Sequence, residues 1–156
     1  MGIKEQIRAD MQKAAKERDS LALSALRMAV AALKNREIDA VTRKELAPGA
    51  ELPEEAVLKV IATMVKQRRE SIDLFLKGNR PELAANEEAE IAVLERYLPK
   101  ALPQAEVEAL VREAIAEAGA KGPSDMGRVM KTLMPKVAGR ADGKAVSETV
   151  RRLLAG

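Results

Sequence analysis

Aliphatic residues recur three or four positions apart along most of this chain, and nowhere do they alternate in the two-residue rhythm of a strand. Ile3, Ile7, Met11 and Ala14/Ala15 form one such stripe, predicting a helix over 3–17. Leu23, Leu26, Val30 and Leu33 form another, predicting a helix over 20–40, with Asp19 or Ser20 as its cap. Pro53 followed by Glu54 and Glu55 opens a third, which carries Val57, Ile61, Met64, Ile72 and Phe75 to about Lys77, where Gly78-Asn79 can stop it. Pro81 opens a fourth, through Leu83, Ile91, Leu94 and Leu98. Residues 41–52 contain Pro48-Gly49 and read as a loop.

Pro99 and Pro103 bracket a short link and mark the expected domain boundary, leaving a unit 1–98, a linker 99–103 and a unit 104–156. Beyond it, Val107, Leu110, Val111, Ala114 and Ile115 predict a helix over 104–118, closed by Gly119. Ser124 or Asp125 caps a helix over 125–134 that Pro135 should end or kink. Asp142 caps a last helix over 143–154. The expected fold is all-α: a four-helix antiparallel N-terminal unit and a small three-helix C-terminal domain.

Composition narrows the chemistry. There is no Cys and no His, which removes disulfides, thiolate nucleophiles, Cys-based metal sites, the commonest metal ligand and the usual general base near neutral pH. The serines therefore lack a histidine partner. Tyr97 and Phe75 are the only aromatics, so the core must be aliphatic. The run Glu87-Glu88-Ala89-Glu90 has neither His nor a second acidic helix beside it and reads as a solvated face. No catalytic residue, metal or cofactor is expected. No apolar run approaches the roughly 20 residues that span a bilayer. The N-terminus lacks a signal-peptide core, so a cytoplasmic location and no membrane partner are the expectation.

Charge falls in two telling places. Within the aliphatic seams sit Arg68, Glu87 and Glu37; a buried charge is costly unless paired, so Arg68 is expected to pair with Glu87, joined by Glu37 or Arg27. The other place is the C-terminus, where residues 119–156 carry 8 Lys/Arg against 3 acids. Gly139 and Gly143 bracket an elbow, Gly139–Lys144, where the backbone can turn and approach a ligand. The following helix start offers amide donors, and Arg128, Lys131, Lys136, Arg140, Lys144, Arg151 and Arg152 surround it. Lys34 and Arg36, with Lys66 and Arg69, form two further basic clusters suited to phosphate contact. The competing view of the second cluster is a solvated face with helical pairs Lys66–Glu70 and Arg69–Asp73.

Four segments together resemble the GatB/YqeY family, specifically its stand-alone YqeY-like members. They are Leu26–Glu37, Lys66–Ser71, Glu90–Pro99 and Met126–Leu154, in the expected order along nearly the whole chain. The resemblance implies a helical N-terminal domain and a C-terminal domain like the tail of the GatB component of the tRNA-dependent Asp/Glu amidotransferase. That enzyme is a carbon–nitrogen ligase with glutamine as amido donor, and its GatB component meets tRNA through the helical tail. The chain resembles only that tail, so the resemblance implies tRNA contact at Gly127, Arg128, Lys131, the Gly139–Lys144 elbow and the basic end of the last helix. It implies no intrinsic catalysis. An amidotransferase or aminoacyl-tRNA synthetase complex is the expected protein partner, and no DNA specificity is expected. The alternative is a helical protein–protein interaction module without RNA binding, its groove lying between the two units.

Overall fold

A computed structural model describes residues 2–137 and 140–155. Among them the chain is all-helical, with α1 (Ile3–Glu17), α2 (Ser20–Thr42), α3 (Glu54–Lys77), α4 (Pro81–Glu95), α5 (Gln104–Ala118), α6 (Met126–Val137) and α7 (Gly143–Ala155). A short 3-10 turn, Pro123–Asp125, leads into α6. The chain divides into two compact units, Met1–Leu98 and Pro99–Gly156.

The helix ends follow local chemistry. The Asp19 carboxylate accepts the Ala22 N–H at 3.1 Å and caps α2. The stop after α3 is divided between two residues. Gly78 keeps an ordinary negative φ, and Asn79 takes the left-handed conformation at φ 56. The Arg80 N–H then reaches back to the Phe75 carbonyl at 2.7 Å. Gly119 closes α5 at φ 63, a conformation that favours glycine.

In the first unit, α1 packs on α2 and α3 on α4, with α2 also lying against α4. Ile7, Leu26, Leu33, Val57, Ile61 and Leu94 are buried at its centre. The α2 stripe is broader than its large residues suggest, because Ala22, Ala25, Ala29 and Ala40 are buried as well and let neighbouring helices approach closely. Leu83, expected in the α4 seam, is instead partly exposed, and Ala84 takes the buried position beside it. The core of the second unit is small: Val107, Val111 and Ala114 from α5, Val129, Leu133 and Val137 from α6, and Val146 and Val150 from α7.

Two expectations for α6 need correction. The helix does not end near residue 134 but runs through Pro135 to Val137. Val129, Leu133 and Val137, four apart, are all fully buried, so core packing holds the turn beyond the proline. Pro135 lies on the exposed face, where a carbonyl left without an N–H can meet water. Asp125 does not cap α6 either; its carboxylate accepts the Lys121 N–H at 3.0 Å and so organises the preceding turn.

One polar contact closes the first unit at its end. The Tyr97 hydroxyl, just beyond α4, donates to the Asp10 carboxylate on α1 at 2.6 Å. Burial, and then the Asp10 carboxylate, push the Tyr97 pKa well above its ordinary value, so the hydroxyl remains a donor throughout the neutral range. Tyr97→Phe should cost roughly 1–2 kcal/mol in urea unfolding, since it leaves a partly buried carboxylate short of a donor. Leu133→Ala, which opens a hole in the small second core, should cost about 2–5 kcal/mol by the same measurement.

Candidate functional site

Among the described residues the first unit holds one buried cation. Arg68, on α3, is only 6% exposed. Its Nε donates to Glu90 Oε2 at 2.9 Å, and Glu87 Oε2 stands 4.0 Å from the same nitrogen. Nη1 donates to the Met64 carbonyl at 3.3 Å, and Nη2 approaches the Met28 sulfur at 3.4 Å. The guanidinium therefore sits between α3, α4 and α2, with Glu90 as its first partner. Sequence pattern pointed to Glu87 and left Glu90 on a solvated face. The signal for Glu90 is its place three residues beyond Glu87, on the same side of α4. Glu37 does not join this cluster: it forms an ion pair with Lys4 of α1. Arg27 is exposed on α2.

The basic candidates are distributed among several partners. In the first unit, Arg36 bonds Glu45 at 2.8 Å and lies 3.6 Å from Asp39. Arg69 pairs across to Glu95 at 2.6 Å rather than along its own helix to Asp73. Lys34 is exposed and Lys66 is exposed on α3. In the second unit, Arg128 holds Asp125 at 2.6 Å, Lys136 holds Glu117 at 3.3 Å with Glu113 at 4.0 Å, and Arg152 holds Glu108 at 2.5 Å. Arg140 is turned toward the start of its unit: its Nε donates to the Lys100 carbonyl at 3.3 Å, and its own carbonyl accepts the Leu102 N–H at 2.8 Å. Gly139 lies outside the described residues. Gly143 opens α7 without a positive φ, and a Cβ there would meet nothing within 4 Å, so the turn itself does not demand a glycine.

Lys131, Lys144 and Arg151 remain exposed and make no ion pair among the described residues. Lys144 and Arg151 are seven apart on α7, which puts them on one face two turns from each other. Of the acids of this unit, Arg152 holds Glu108 and lowers its pKa, the Lys121 N–H and then Arg128 lower that of Asp125, and Glu148 stays exposed on α7, four residues from Lys144. Among the described residues no cluster of three or more acids could hold a metal ion, and no helix is long and apolar enough to cross a membrane.

A helical fold with a neutral first unit and a second unit edged by cations defines a class of small two-unit helical proteins. The chain belongs to the family of YqeY-like proteins, whose model matches residues 4–154. Among curated proteins it is similar to altered inheritance of mitochondria protein 41, mitochondrial. With that of Lachancea thermotolerans it is 35% identical over 92 residues, 59% of this chain and 46% of the relative. With that of Eremothecium gossypii it is 34% identical over 97 residues, 62% and 49% of the two chains. The Kluyveromyces lactis protein is 32% identical over 91 residues, 58% and 45%. The matches span about half the length of these relatives. They correct the cytoplasmic expectation: the relatives are named as mitochondrial proteins, and a missing apolar span does not locate a chain.

Two outcomes follow from the ion pairs. Arg68→Ala should lower unfolding free energy by about 3 kcal/mol, because it strands a half-buried Glu90, whereas Arg69→Ala, at an exposed pair, should cost under about 1 kcal/mol. Glu108 and Asp125 have depressed pKa values in the folded chain, so their contribution to stability is present above the ordinary carboxylate pKa of about 4 and is lost as pH falls through the folded value. Glu108→Gln should therefore melt below the parent at neutral pH, with the gap closing as pH falls below about 4, read by circular dichroism.

Proposed function

We propose that the chain is an accessory protein that contacts tRNA through its C-terminal unit, in the manner implied by its resemblance to the amidotransferase tail. The observation that carries this reading is the set Lys131, Lys144 and Arg151, exposed cations that make no ion pair among the described residues. A phosphate backbone supplies the missing counter-charge. The paired cations at the surface can add to it, because an exposed ion pair is worth only about 0–1 kcal/mol and a phosphate can take the carboxylate's place. Arg128, Lys136 and Arg152 are the side chains in that position. The role is one of binding: the chemistry of amidation belongs to a partner such as an amidotransferase or aminoacyl-tRNA synthetase complex.

Gel-shift titration of the full chain against deacylated and charged tRNA tests the reading. With three phosphate contacts the slope of log K against log salt should be about −3 if tRNA stems follow the duplex rule. The triple variant Lys131→Glu/Lys144→Glu/Arg151→Glu should abolish the shift, while Lys13→Glu on α1 leaves it. No binding at low salt, or equal binding of every polyanion offered, overturns it.

A further inference from the structure

The first unit carries a surface that the RNA reading leaves unused. Arg68 lies at the floor of an open pocket of about 280 Å³, walled by Met28, Gln67, Ser71, Glu87 and Glu90. Two carboxylates face one guanidinium there. Glu90 takes the Nε–H, and Glu87, at 4.0 Å, makes no closer ion pair among the described residues. The pocket is thus short of one positive charge, and a cation entering it meets free lone pairs on Glu87 and Glu90.

One exposed apolar side chain lines this pocket, and others lie on the same three helices. Met28 is 51% exposed in its wall, and Leu74, at 68%, is one turn along α3 from Ser71. Leu83 is one turn along α4 from Glu87, and Leu21 is two turns along α2 from Met28. Leu21 and Met28 alone are separated by about 10 Å along their helix axis. Exposed apolar side chains spread over that length on the helices that wall a single polar hollow exceed a small cation and suit an elongated occupant.

We propose that this face of α2, α3 and α4 is a docking site for an amphipathic helix of a protein partner, with one Arg or Lys set among leucine-type side chains. The cation enters the pocket and bonds Glu87 and Glu90, completing the charge balance around Arg68. The leucines one turn to either side cover Met28, Leu74 and Leu83. Charge complementarity selects the basic anchor, and the exposed apolar side chains select a helix that repeats every three to four residues.

Fluorescence anisotropy tests the proposal with the full chain and a labelled helical peptide of roughly 14 residues, about four turns, carrying leucines on one face and a single central Arg. Two companion peptides replace that Arg by Gln or Glu. The expected result is saturable binding of the Arg peptide below about 100 μM, with the Glu peptide at least about tenfold weaker. In Glu87→Gln the Arg and Gln peptides should bind alike; this substitution spares the Arg68–Glu90 bond, and an unchanged thermal melt shows that the fold is kept. Leu74→Asp, at an exposed position, should weaken all three peptides. Affinity indifferent to the central residue, the same Arg preference in Glu87→Gln, or no saturable binding overturns the proposal. So does a dimer in sedimentation that Leu74→Asp dissociates, because the face would then belong to a second copy of the chain.

Discussion

The buried guanidinium of Arg68 restricts how the helices of the first unit can meet. An aliphatic core built from Leu, Ile, Val, Met and Ala packs acceptably in several registers, because such side chains differ little in shape and carry no directional bonds. Arg68 removes that freedom. Sliding α3 by one turn against α4 would draw the guanidinium away from Glu90 and leave a buried charge unpaired, at a cost of several kcal/mol. Its contact with Met28 extends the same constraint to α2. The exposed hollow beside Arg68, with its second carboxylate, arises from the same arrangement.

The second unit is ordered differently. Its interior is a small set of valines with Leu133 and Ala114, and its ion pairs lie outside, where water weakens them. That makes its surface charge exchangeable. A carboxylate that holds Arg128 or Arg152 in the free chain can be replaced by another anion with little loss, whereas Glu90 cannot be removed from Arg68 without disturbing the core. The two units thus use the same residue types, arginine and glutamate, for different ends, and depth below the surface decides which.

Membership of the YqeY-like family fits this division. The family pattern runs through both units, over residues 4–154, while the similarity to the three mitochondrial proteins covers 58–62% of the chain. The relatives' names refer to inheritance of mitochondria and state no molecular activity. The functional reading therefore rests on the chemistry of the surface: cations on α6 and α7, and in the first unit a hollow where Glu87 and Glu90 face Arg68.

Helix positions were legible in the residues themselves because they depend on local chemistry. The 3.6-residue stripe, prolines at helix starts, Asp19 as a cap and Gly119 at a helix end all act within a few residues of each other. The failures came where distant packing outweighed a local rule, as at Pro135, carried inside α6 by the buried stripe through Val137, and at Leu83, displaced from the seam by Ala84. The candidate site was legible only as a set of charges. Which acid each cation meets was not, since Glu95 for Arg69, Glu117 for Lys136, Glu108 for Arg152 and Lys4 for Glu37 come from other helices, 19 to 44 residues away. By itself the sequence determined an all-helical chain, an aliphatic core and an excess of positive charge at its C-terminal end. Only the tertiary structure decided which of those charges are neutralised and which stand free, because pairing depends on distances of a few ångströms between side chains on different helices.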